Sequence, residues 1–158
     1  MSLSPAGLAV GLASGFVVTF TNGLKVYLSG DTGLTSDMNT VVAGYYGADL
    51  AVINIGDIFT TGPEEAAFAV RELIRPASVI PSHMNEAATQ GGIAVAGSKT
   101  ARFITLLTPS SNPRGLDNTL RGPRGISVLL PLSGVTNCHA PEGASPNCAS
   151  IDVDISFS

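Results

Sequence analysis

Val26-Tyr27-Leu28-Ser29-Gly30-Asp31-Thr32-Gly33 decides how this chain is read. Its first half is rich in residues that fit a pleated sheet, and its second half is a turn. The aspartate between Gly30 and Gly33 therefore falls just past the end of a strand. Immediately upstream, residues 15–20 (Gly-Phe-Val-Val-Thr-Phe) form another β-rich run, and Thr21-Asn22-Gly23 separates the two. Asn-Gly is the strongest short hairpin signal, because both residues tolerate positive φ. An antiparallel hairpin is thus expected to deliver Asp31 to the end of its second strand.

Downstream, the periodicity changes. Ser36 or Asp37 is placed to cap a helix through Val41, Val42 and Tyr45, which Gly47 ends. Residues 49–55 form a nearly continuous apolar run, as expected for a strand buried on both faces. After a loop over 56–62, Pro63 opens a helix. Glu64 and Glu65 lie in its first turn, Arg71 and Arg75 lie toward its end, and Ala66, Val70, Leu73 and Ile74 give its buried stripe. Pro76 closes that helix, and residues 78–81 form a short strand leading to His83. Ser98 caps a third helix containing Ala101, Ile104, Leu106 and Leu107. Residues 108–123 read as a long loop, 125–131 as a last core strand and 151–155 as a weak edge strand. A hairpin followed by strand–helix alternation predicts an α/β fold with a mixed sheet and helices on one face.

Composition narrows the function classes. The 158 residues favour one domain, at 1–134, followed by a Gly- and Pro-rich tail at 135–158. Charged residues make up only 13% of the chain and its mean hydropathy is +0.33, so a large core or a covered surface is expected. A net charge of −4 with scattered Lys and Arg argues against nucleic acid as the main partner. No stretch reaches the roughly 18–20 uninterrupted apolar residues of a membrane span, and no basic residue precedes the apolar residues 6–20 as in a signal peptide. Cys138 and Cys148, in the tail, suit a small disulfide loop of a periplasmic or secreted protein. A metal site with His139 and two unpaired thiols are the other readings, the latter compatible with the cytoplasm.

Two positions carry chemistry. Asp31 and His83 each follow a strand, which is where α/β sheets bind ligands. Alone, Asp31 also reads as a turn residue and His83 as a structural histidine. Together with the segments between them they resemble a known family. Residues 26–33, the run 48–57 (Ala-Asp-Leu-Ala-Val-Ile-Asn-Ile-Gly-Asp), Phe59-Thr60-Thr61-Gly62-Pro63-Glu64-Glu65-Ala66-Ala67 and Val79-Ile80-Pro81-Ser82-His83 are similar in order and spacing to the metallo-β-lactamase superfamily. The nearest branch is the metal-dependent hydrolases related to L-ascorbate-6-phosphate lactonase and N-acyl-phosphatidylethanolamine phospholipase D.

That resemblance implies one half of an αββα sandwich. Asp31 would bridge two divalent metal ions and His83 would ligate one of them, with zinc favoured and manganese or iron as alternatives. It also implies hydrolysis of a phosphoester, lactone or amide by a metal-bound hydroxide. Asp57, Thr60 and Thr61 are candidates to line the substrate side of the cleft. Ordinary capping of the Pro63 helix is their alternative role. The family's His-x-His-x-Asp-His cluster has no counterpart here, because His83 and His139 are the chain's two histidines. The resemblance therefore implies a fragment with no complete catalytic set and little activity alone. The competing expectation is a non-catalytic half-fold that self-associates or binds a protein partner through its uncovered sheet face.

Overall fold

The computed structural model describes residues 2–3, 9–11, 13–84, 89–90, 93–107 and 126–130. The disulfide expected between Cys138 and Cys148, His139, the loop at 108–123 and the edge strand at 151–155 lie outside the described residues.

Strands β1 (Ser2–Leu3) and β2 (Ala9–Gly11) pair with each other at the N-terminal end. The main sheet has five strands in the order β3 (Phe16–Thr19), β4 (Lys25–Leu28), β5 (Leu50–Asn54), β6 (Ser78–Ser82) and β9 (Ser127–Val128). The first pair is antiparallel and the rest are parallel, as strand–helix alternation after a hairpin requires. A two-stranded ribbon, β7 (Thr89–Gln90) with β8 (Ile93–Ala94), is a feature that the strand pattern did not anticipate. The β3–β4 hairpin closes at Asn22-Gly23. Gly23 takes φ +87°, its N–H donates to the Phe20 carbonyl at 2.9 Å, and the Asn22 side chain accepts from the Leu24 N–H at 3.0 Å.

The first helix, Met38–Tyr46, ends at Gly47 in a left-handed conformation, as its sequence predicted. Its start differs: Asp37 is already helical and makes no side-chain cap bond. The second helix runs Pro63–Phe68 and continues with wider i→i+5 winding over Ala69–Ile74. Glu65 reaches back to accept the Gly62 N–H at 2.9 Å, one half of a capping box. Ser98 caps the third helix, Lys99–Leu107, by accepting the Ala101 N–H at 3.1 Å.

The register explains the core. Val17, Tyr27, Ala51, Val79 and Val128 lie in adjacent register, so their side chains share one face. They pack with Met38, Val42, Ala66, Val70, Ile74 and Phe103 of the helices into a single cluster. The opposite face carries the row Phe16, Leu28, Val52 and Ile80. Beside that row Leu24, Val26 and Leu50 are buried in a second small cluster with Val52, Ile80 and Leu129 packed against it, whereas Phe16 remains 64% exposed at the β3 end. None of the described helices is long and apolar enough to cross a membrane.

Candidate metal centre

Parallel strands leave their C-terminal ends side by side, so the loops after β4, β5 and β6 meet at one edge of the sheet. The three loops carry Asp31, Asp57 and His83 respectively. Asp31 Oδ1 and His83 Nε2 are 2.8 Å apart although 52 positions separate them in sequence, and both side chains are half exposed or more. A carboxylate oxygen and a neutral imidazole nitrogen are both donor atoms that suit a divalent cation.

Backbone conformation at these positions is unusual. His83 has φ +56° and Asp57 φ +89°, a region that costs a non-glycine residue energy. Arg75, the third described non-glycine residue of this kind, has an ordinary role as the left-handed cap of the second helix. Nothing comparable ends a helix at 57 or 83, where the strain sets the direction of a polar side chain at a strand end. Gly30 has φ +59°, and a Cβ there would collide with the Ser14 carbonyl oxygen. The turn presenting Asp31 thus packs directly on the segment that enters the hairpin.

The loop 56–62 forms the near wall. A Cβ on Gly56 would lie 2.9 Å from Thr60 Oγ1 and 3.3 Å from His83 Nδ1, so this position touches the back of the imidazole. Lys99 at the start of the third helix donates from its ammonium to the Gly56 carbonyl, and the same group lies 3.7 Å from Asp57 Oδ2. The Asp57 N–H donates to the Thr61 carbonyl at 3.2 Å and closes the loop. Asp57 is exposed and Thr60 partly exposed, whereas Thr61 is fully buried and directs its hydroxyl at Asn54, 2.6 Å from Oδ1. The structure therefore gathers Asp31, His83, Asp57 and Thr60 at one edge and sets Thr61 behind them.

Two contributors were not singled out from the sequence. Lys99 stands far from the loop along the chain, and nothing local marks it. Asn54 did carry a signal: it is the polar residue in the otherwise apolar run 50–55 and is completely buried. Asn85 and Glu86, just after His83, lie outside the described residues. Among the described residues, no group of three or more His, Cys, Asp and Glu side chains is gathered to hold a metal ion. Asp31 and His83 fit two positions of a coordination sphere and do not make a whole one.

The fold and the site define an α/β protein with metal-competent side chains at the C-terminal ends of parallel strands. A family model described as a beta-lactamase superfamily domain matches residues 3–84, just over half of the chain, and the chain belongs to that superfamily. A metal-dependent hydrolase of Polaromonas sp. is 49% identical over 69 residues, covering 44% of this chain and 25% of the relative. Another metal-dependent hydrolase, from Methanobrevibacter smithii, is 41% identical over 103 residues, covering 65% of this chain and 41% of the relative. Among solved structures, a metallo hydrolase of Ignicoccus hospitalis is similar with a TM-score of 0.42 at 32% identity, over 52% of this chain and 35% of that one. The chain thus spans well under half the length of these relatives.

Proposed function

We propose that this chain carries the Asp31–His83 part of the metal centre of a hydrolase. Asp31 would supply a carboxylate shared by the divalent ions of that centre, and His83 would ligate one of them. The 2.8 Å approach of Asp31 Oδ1 to His83 Nε2 carries this reading, because two donors from separate loops converge where a cation would bind both. Zinc suits the pair, with manganese and iron as alternatives. A bound divalent ion would supply a nucleophile at neutral pH by acidifying water, for attack on a phosphoester, lactone or amide. Asp57 and Thr60 line the substrate side, while Lys99 holds the Gly56 carbonyl and fixes the wall behind His83. With two donors, the isolated chain is expected to have little or no hydrolase activity.

Metal analysis of the purified chain tests this reading. The wild type is expected to take up zinc, and Asp31→Ala and His83→Ala are each expected to lose most of it. Unchanged uptake by both variants would show that the ion binds elsewhere.

A second reading is supported by the sheet face. Phe16, Val18 and Leu28 are exposed on the side opposite the helices, which suits a half-fold that self-associates or binds a protein partner there.

A further inference from the structure

We propose that Asn54, oriented by Thr61, is the positioning residue of the Asp31–His83 pair: its side-chain amide clamps the two backbone carbonyls that flank Asp31. Asn54 is the last residue of the central strand β5 and is fully buried. Its Nδ2 lies 2.6 Å from the Gly30 carbonyl oxygen, 3.3 Å from that of Thr32 and 3.3 Å from Ser29 Oγ. The Thr61 hydroxyl stands 2.6 Å from Oδ1 and 2.7 Å from the Asn54 main-chain carbonyl oxygen, and its proton is shared between these two acceptors. Every polar atom of the side chain is therefore engaged, and its donor group points only at the residues around Asp31.

Burying a primary amide is costly unless it is bonded, and an apolar residue at the end of an apolar strand avoids that cost. An aliphatic side chain would fill the same space in the sheet. It would not hold the turn at 30–32 in place. That turn needs holding, because it combines a left-handed Gly30 with a Thr32 N–H that reaches only as far back as the Gly30 carbonyl, at 3.1 Å. The Thr61 N–H adds a further bond to the Thr32 carbonyl at 3.0 Å, so Asn54 and Thr61 grip the same turn together.

The location of Asn54 extends the effect to the second donor. Strand β4 on one side of β5 leads to Asp31, and strand β6 on the other leads to His83. Asn54 is in register with Ser82, and the Ile55 N–H donates to the Ser82 carbonyl at 3.0 Å. One residue thus stands between the two loops and fixes where the carboxylate sits relative to the imidazole. The carbonyls of Gly30 and Thr32 only accept, so the NH2 group faces the Asp31 turn, and Thr61 backs this orientation from the other side, its hydroxyl 2.6 Å from Oδ1 and 2.7 Å from the Asn54 main-chain carbonyl. The clamp's consequence for metal affinity rests on the reading of Asp31 and His83 as ligands.

The test uses the purified full chain and three variants, Thr61→Val, Thr61→Ser and Asn54→Leu. NMR of the metal-free protein reads the proximity of the Asp31 β-protons to His83 Hε1, and titration with zinc chloride reads affinity. Thr61→Val keeps the shape of the side chain and removes the hydroxyl. It is expected to lose the proximity signal and to weaken zinc binding by roughly 10-fold or more, as changes behind metal ligands do. Thr61→Ser restores both, which a role in packing alone would not produce. Asn54→Leu is expected to behave as Thr61→Val or worse. A folded Thr61→Val protein with unchanged proximity overturns the proposal, whether or not Asn54→Leu folds. If the wild type shows the proximity signal but takes up no zinc, the metal reading fails. The variants' proximity signals then decide the clamp by themselves.

Discussion

Gly30 shows how closely the position of one carboxylate depends on a residue that has no side chain. Its φ of +59° belongs to the left-handed region, and the Ser14 carbonyl occupies the space where a Cβ would go. Gly30→Ala is therefore expected to destabilise the chain by about 1–3 kcal/mol from backbone strain, with the collision adding to it. Gly33 is the control. It lies on the other side of Asp31 with open space around it and no positive φ, so Gly33→Ala should change stability by no more than roughly 0.5 kcal/mol. Urea unfolding of the two variants gives the comparison, and equal losses would contradict the packing described. At this scale, the sequence made Asp31 and His83 legible because each follows a strand and each matches a family motif. It did not make Asn54 legible as a clamp, because its partners come from two separate loops, one of them more than twenty positions upstream. Thr61 was legible as a polar loop residue but not as a buried one, since local chemistry is the same whether a threonine faces substrate or strand.

The elements meet through ion pairs whose contribution depends on pH. Glu64 in the first turn of the second helix accepts from Arg102 of the third at 2.8 Å. The hydrogen bond from Arg102 holds the Glu64 carboxyl below its ordinary value of 4.5 despite some opposing desolvation. A carboxyl with a lowered folded pKa contributes stability above its unfolded value and loses it as pH falls through the folded value. Both side chains are mostly exposed, so solvent screening limits the effect. A double-mutant cycle with Glu64→Gln and Arg102→Gln is expected to give a coupling of about 0.2–1 kcal/mol at pH 7. That coupling should fade below pH 4.5 and in high salt. A coupling that grew on acidification would reverse the assignment. The helices and core strands themselves were legible from apolar periodicity and from Asn22-Gly23, Gly47, Pro63 and Ser98. The β7–β8 ribbon was not, because two-residue strands are too short to show a period. Within the described residues 126–130, the strand expected over 125–131 forms at Ser127–Val128, where it pairs with Ser78 and Val79 of β6.

For the whole molecule, the decisive feature is a second sheet face that is apolar and exposed at its β3–β4 end. Phe16, Leu28, Val52 and Ile80 form one row across four strands; Val26 and Leu50 beside it are buried, while Phe16, Val18 and Leu28 are exposed. Antiparallel sheets tolerate one wet face when its residues are polar, and this face is apolar. An exposed apolar surface of this kind drives association at about 25 cal/mol per Å² of area removed from water. The isolated chain is accordingly expected to self-associate or to bind an apolar dye through this face. Phe16→Lys and Leu28→Lys place charges at its exposed end without touching the helix-side core, because both side chains point away from Tyr27 and Ala51. Light scattering should show the double variant shifted toward monomer with reduced dye binding and an unchanged circular dichroism spectrum. A wild-type chain that is monomeric and binds no dye would mean that the face is shielded within the chain itself. The half-fold reading would then lose its support, while the Asp31–His83 site at the sheet edge would be unaffected.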